Sequence, residues 1–238
     1  MIIKQDYIKK GSKARRGKLL KKINGVTVHN TGNHDNGANA GANARYLHNN
    51  ENNTIAGFHW VVDEKEAIAL IPENEITEHT GKRLGNDSTV GVEICDNADG
   101  DILVATDNGA KIVSEILKRQ GFVQAVHGEN IFQHNTWSGK NCPEDIRAGK
   151  PYSWAVFVDK VNAHMKNVPQ QPIRKRWGVI ANDLRLRTKP STVTGKVIVM
   201  LHRGDEVQLD YYVASDKWAR VIVNGQMGWV YSKFIREV

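Results

Sequence analysis

Long hydrophobic runs are missing from this 238-residue chain. No stretch of about 18 apolar residues occurs, so no transmembrane helix and no membrane insertion are expected. The opening residues Met1-Ile2-Ile3-Lys4-Gln5-Asp6 run straight into charge and build no apolar secretory core, which points to synthesis in a cytoplasm without a signal peptide. Cysteine is almost as scarce. Cys95 and Cys142 cannot make a disulfide framework and fit a reducing compartment, so thiolate chemistry or metal binding is the better reading for either. A uniform excess of one charge is also lacking, despite a formal net charge of +7. Residues 1–22 hold nine Lys or Arg against one Asp, residues 23–170 hold 12 basic against 19 acidic, and residues 171–238 hold 12 against 6. Basic ends around an acidic middle do not suit a nucleic-acid binder, and no nucleic-acid partner is expected. They suit contact with an anionic polymer or surface, or plain solvation.

The length allows one medium domain and one small one. The leader has no apolar periodicity through Gly11-Ser12-Lys13-Ala14-Arg15-Arg16-Gly17-Lys18 and reads as a basic arm or irregular first segment. Residues 23–28 bring β-branched side chains up to His29 and a polar loop. A strand ending at a His sits where open α/β sheets hold ligands, although such a His is often only a hydrogen-bonded structural residue. Ala-rich residues 38–50 predict a helix, residues 58–63 and 66–71 a hairpin through Asp63-Glu64-Lys65, and residues 90–95 a further strand. Residues 106–120 predict an amphipathic helix closed by Gly121, residues 122–127 a short strand or entry loop, and residues 154–166 a last helix. Linker composition over 167–175 then separates a first domain, 1–166, from a second, 176–238. The second consists of short β runs with turn signals at Gly204-Asp205 and Asn224-Gly225, the pattern of a small antiparallel barrel.

Chemistry concentrates in Gln133-His134-Asn135-Thr136-Trp137-Ser138-Gly139-Lys140-Asn141-Cys142-Pro143. A thiolate and an imidazole this close suit zinc and leave room for a third ligand from elsewhere, although a Cys before Pro is also often a small buried hydrophobe. Glu93 stands between Val92 and Ile94 in an apolar strand. A carboxylate there needs a partner, a hydrogen bond or a metal, unless its face is the solvated one. Cys95 shares that face by alternation and could line a site or the core.

These residues fall into a familiar order. Val28-His29-Asn30-Thr31-Gly32, Phe58-His59-Trp60-Val61-Val62-Asp63, Glu78-His79-Thr80-Gly81, Val90-Gly91-Val92-Glu93-Ile94-Cys95 and Trp137-Ser138-Gly139-Lys140-Asn141-Cys142-Pro143 resemble the type 2 N-acetylmuramoyl-L-alanine amidases, whose fold is shared with peptidoglycan-recognition proteins. Residues 178–238 resemble a bacterial SH3 domain of the cell-wall-binding type through Asn182-Asp183-Leu184-Arg185-Leu186-Arg187, Pro190-Ser191, Trp218 and Gly228-Trp229-Val230. The resemblance implies an α/β amidase domain, a central mixed sheet flanked by helices, followed by a small all-β SH3-like barrel. It implies Zn2+ held by His29, His134 and Cys142, with His127 a structural or rim residue. Glu93 would be the catalytic base, Lys140 the oxyanion stabiliser, and His79 and Trp137 substrate-binding residues. Other branches of the fold carry Tyr where Phe58 stands before His59, which shifts acid–base chemistry towards Glu93. The implied activity is cleavage of the bond between N-acetylmuramic acid and L-alanine in bacterial peptidoglycan, by an endolysin acting on the wall after release. The alternative is a non-catalytic protein that recognises muropeptide. Oligomeric state is left open.

Overall fold

The computed structural model describes residues 1–166, 176–212, 217–223 and 226–237. The chain forms two compact units, Met1–Val168 and Pro169–Val238. The expected linker at 167–175 and the expected turn Asn224-Gly225 lie outside the described residues.

In the first unit, strands β1 (Ile2–Gln5), β2 (Gly25–Asn30), β3 (Trp60–Val62), β4 (Glu66–Ala69), β5 (Thr89–Ile94) and β6 (Ile131–Gln133) make a mixed sheet in the order β1-β4-β3-β5-β2-β6. Only β3 and β4 pair antiparallel, as the expected hairpin. Its turn is held by Asp63 Oδ1, which accepts from the N–H groups of Lys65 and Glu66 at 2.7 Å each. The helices are α1 (Ala40–Asn50), α2 (Arg83–Asn86), α3 (Ile102–Arg119), α4 (His134–Ser138), α5 (Glu144–Arg147) and α6 (Trp154–Met165). Helix α3 begins four residues before its apolar spacing suggests. The reason is a cap: the Asp101 carboxylate accepts from Leu103 and Val104 N–H at 3.1 Å, satisfying donors that the first turn leaves free.

Strand register sorts the sheet into two faces. His29 pairs with Glu93, and Glu93 with Val61, so these three side chains project to one side. That side also carries α1: Val61 and Cys95 pack with Ile8, Ala40, Ala44 and Leu47. Cys95 therefore belongs to the core. The opposite side carries Val28, Val92 and Ile94 towards α3, where Gly109 lets the helix approach so closely that a Cβ there would lie 2.4 Å from Ile94 Cδ1. Helix α6 packs against α3.

The leader is not a free arm. Its first residues form β1 on the sheet edge, and Ile8 is completely buried in the α1-side core. Burial of one such side chain contributes about 1.5–3 kcal/mol. Arg15 grips Glu75 with two hydrogen bonds of 2.9 Å and donates a third, of 2.8 Å, to the Ile8 carbonyl. Lys4 pairs with Glu66 and Arg16 with Glu78. The leader lacks periodicity because its apolar residues are spent singly, and part of its charge is matched by the acidic middle.

The second unit is a seven-stranded antiparallel sheet of β7 (Arg176–Val179), β8 (Leu184–Arg187), β9 (Val197–Leu201), β10 (Glu206–Tyr212), β11 (Trp218–Val223), β12 (Gln226–Tyr231) and β13 (Ile235–Glu237), in the order β13-β7-β10-β11-β12-β8-β9. Val179, Leu184, Leu186, Leu201, Val207, Ala219, Val221, Val230 and Ile235 close a core of its own. Gly204 adopts the left-handed φ of 91° at the expected turn.

Candidate metal centre

Parallel strands β2, β5 and β6 bring their carboxyl ends together, the position at which α/β sheets gather ligands. β2 delivers His29, and β5 delivers Glu93 in register beside it. Val28 pairs with Gln133 of β6, so His134, the next residue and the first of α4, comes level with His29. Cys142 arrives on the loop that follows. Gly139, at a left-handed φ of 76°, ends α4. Asn135 then ties the returning loop: its N–H donates to the Cys142 carbonyl at 2.9 Å and its side-chain amide to the Lys140 carbonyl at 2.9 Å.

The result is a convergence on one atom. His29 Nδ1 lies 3.0 Å from His134 Nδ1, 3.8 Å from Cys142 Sγ and 3.8 Å from Glu93 Oε1. Donors bonded tetrahedrally to a small divalent ion at about 2.0–2.3 Å stand roughly 3.3–3.6 Å apart, so two imidazoles and a thiolate at these separations fit such an ion. His29, His134 and Cys142 are all buried. Glu93 Oε2 is also buried and has no hydrogen-bond partner, an arrangement that costs stability unless a cation or substrate meets it. His34, Asp96 and Asp145 make a second cluster, but the Asp96 carboxylate is already engaged by Thr31, Gly32 and Asn33 of the loop after β2.

The electrostatics follow from burial. Desolvation pushes the Glu93 carboxyl up to about 8 against the pull of the Lys140 ammonium, and pushes the Cys142 thiol up to about 12. His29 is held well below the usual imidazole value by burial first and by neighbouring imidazoles second, so it stays neutral and keeps a lone pair for coordination. Charge on Glu93 and Cys142 is unfavourable in the protein alone and becomes favourable beside a cation.

A cleft of about 850 Å³ opens over this cluster. Tyr46, Ile55 and Phe58 give its lining apolar surface, and Glu78, Arg83, Asn86, Ser138 and Lys140 give it polar groups. Lys140 is exposed on its rim. His79 also lines the cleft, yet both its ring nitrogens are engaged by protein, Nδ1 with His29 Nε2 at 3.1 Å and Nε2 with the Thr89 carbonyl at 3.1 Å. Trp137, expected in the substrate groove, lies outside the lining: its indole N–H donates to Thr27 Oγ1 at 2.9 Å, and its ring packs on Phe132 with centroids 4.8 Å apart. It is a strut beneath α4. His127 packs edge-on to Trp154 away from the cluster, and His59 is buried between the Gly91 N–H and the Glu75 carbonyl. Sequence reasoning misses Asn135 and also Asn30, whose Oδ1 receives the Asp145 N–H at 3.2 Å at the start of α5. An Asn has no periodicity to betray such a clamp.

Known proteins resemble this chain in sequence and in fold. The amidase XlyA of Bacillus subtilis (strain 168) is 38% identical over 144 residues, covering 60% of this chain and 46% of XlyA. The amidase CwlH of the same organism is 33% identical over 166 residues, covering 68% of this chain and 62% of CwlH. This chain thus spans about half to three fifths of the length of these curated relatives. The structure of the catalytic domain of XlyA superposes with a TM-score of 0.60 at 35% identity, covering 68% of this chain and 99% of that domain. Residues 19–145, more than half of the chain and the part that holds every donor described above, match the N-acetylmuramoyl-L-alanine amidase family, and the chain belongs to it.

Proposed function

We propose that this protein is a zinc-dependent peptidoglycan hydrolase that cleaves the amide between N-acetylmuramic acid and L-alanine, and that it serves as an endolysin in bacterial lysis. One observation carries the reading: two buried imidazoles and a buried thiol converge beside a carboxylate that keeps one buried oxygen, Glu93 Oε2, without a hydrogen-bond partner, in the lining of an open cleft. A donor set of two nitrogens and one sulfur is borderline-soft and favours zinc over the hard cations that take oxygen ligands, and three protein ligands are the pattern of a catalytic rather than a structural site. His29, His134 and Cys142 would hold the ion. Once bound, zinc supplies Lewis-acid activation of the scissile carbonyl and of the attacking water.

The remaining work falls to the chain's own residues. Glu93 accepts a proton from the water as its oxygen bonds to the carbonyl carbon. It then delivers that proton to the nitrogen as the carbon–nitrogen bond breaks and the L-alanine amine leaves. Its burial suits both halves of this task, since a carboxylate of raised proton affinity is a stronger base than one in water. Lys140, on the cleft rim, offsets negative charge developing on the carbonyl oxygen. A recognition protein that held muropeptide without cutting it would have no use for Glu93 in this position. Digesting purified walls and labelling the new ends tests the reaction: a fresh L-alanine amine is the expected product, and a new reducing sugar end would replace the amidase reading with a glycosidase.

The second unit we read as an SH3-like wall-binding module. Supporting this is a groove of about 480 Å³ lined by Trp218, Tyr231 and Phe234, with Arg185 and Lys233 alongside. Aromatic faces and cations together suit an anionic wall polymer. Removing residues 176–238 is expected to lower the fraction of enzyme sedimenting with walls at least several-fold, with hydrolysis of small soluble muropeptides retained. Equal loss of both would overturn the division of labour.

A further inference from the structure

Hydrogen bonding around the cluster indicates which nitrogen of His79 and of His29 carries a proton, starting from the backbone. The Thr89 carbonyl can only accept, so the His79 nitrogen facing it, Nε2, is the donor. In a neutral imidazole the other nitrogen is then an acceptor, and His79 Nδ1 faces His29 Nε2 at 3.1 Å. His29 must therefore donate from Nε2, which leaves its Nδ1 lone pair pointing at His134 Nδ1 and Cys142 Sγ. The ring of His79 is fixed for this purpose from three sides. It lies over Gly91 of β5, where a Cβ would come within 2.7 Å of its Nδ1. It meets His59 edge to face at 5.7 Å. Its backbone is held by Asn86, whose Oδ1 accepts from the N–H groups of His79 and Thr80 at 3.0 and 2.8 Å.

We propose that His79 is a positioning residue: it accepts the Nε2 proton of His29 and so locks His29 in the tautomer whose Nδ1 is free to bind the metal. This replaces the expectation that His79 reaches the substrate, since a bond from either of its nitrogens to a ligand would first break one that organises His29. Partners that orient a ligating imidazole are commonly worth about 10–100-fold in metal affinity.

The assignment rests on the metal reading above for its affinity test, whereas its tautomer test needs no metal. In 15N-edited NMR of the metal-free wild-type protein, both His29 and His79 are expected to carry the proton on Nε2. A proton on His29 Nδ1 would overturn the proposal, whether or not any variant folds. In competition with a chromophoric chelator, the His79→Ala protein is expected to bind Zn2+ about 10–100-fold more weakly than wild type. In His79→Asn an amide oxygen stands near the site of Nδ1, and most of the affinity should return. Wild-type affinity in His79→Ala, or no recovery in His79→Asn, would count against the role. A wild-type protein that binds no Zn2+ removes the metal reading, and the tautomer measurement alone then decides for or against His79.

Discussion

Glu93→Gln is expected to lower turnover of wall substrate by about 10²–10⁴-fold, the usual contribution of a positioned general base, while Zn2+ binding stays near wild type. The amide matches the carboxylate in shape but takes no proton from water. Substitution leaves His29, His134 and Cys142 untouched, so kcat and kcat/KM should fall together. A variant that keeps more than a tenth of wild-type activity removes Glu93 as the base. Stability should move the other way. Because burial raises the Glu93 pKa to about 8 in the folded protein, the folded state holds this proton more tightly than the unfolded chain. Metal-free wild type therefore loses stability as pH rises from the unfolded carboxyl value, about 4.3, towards 8. The Gln variant lacks that loss, so in urea melts of the two metal-free proteins its relative stability should grow across this window and level off above it. A constant difference across the window would mean that Glu93 is not desolvated as the structure has it.

His134→Ala should abolish lysis and His127→Ala should not. Removing one of three ligands forfeits roughly a quarter to a third of a binding free energy on the order of 10–16 kcal/mol, or about two to four orders of magnitude in Zn2+ affinity. His127 meets Trp154 edge-on at 5.5 Å and touches none of the donors, so its loss should cost at most about 1 kcal/mol of stability. Zn2+ content after dialysis, measured beside turbidity loss of a cell-wall suspension, separates the two. Comparable loss in both variants would reject His134 as a ligand.

The parts of the fold legible in the sequence are those with a period. β2, β5, α1, α6 and the strand runs of the second unit are readable because alternation or helical spacing repeats within each. β1 and β6 are not: four and three residues long, they are strands through what they pair with rather than through their composition. At the site, the donors are readable as residue types that chemistry rarely wastes, a His and a Cys eight positions apart and a carboxylate in an apolar strand. Their mutual distances require the parallel register of β2 with β5 and β6. Trp137 reads as a substrate platform from its residue type, and no sequence pattern shows the Thr27 hydroxyl that engages its indole nitrogen. The family resemblance marks His79 as a functional side chain, but what it touches depends on Thr89 and Gly91, ten or more residues away.

Gly91 gives the site a cost that is local and measurable. Glycine inside a strand is a weak choice, poorer than alanine by about 0.5–1 kcal/mol, and a β-branched residue would ordinarily strengthen β5. Here any side chain would collide with the imidazole resting on it. A side chain here could strengthen β5 only if the imidazole gave way, so glycine at 91 and histidine at 79 are expected to be kept or lost together. The floor of the cleft is one place where the fold trades sheet strength for chemistry.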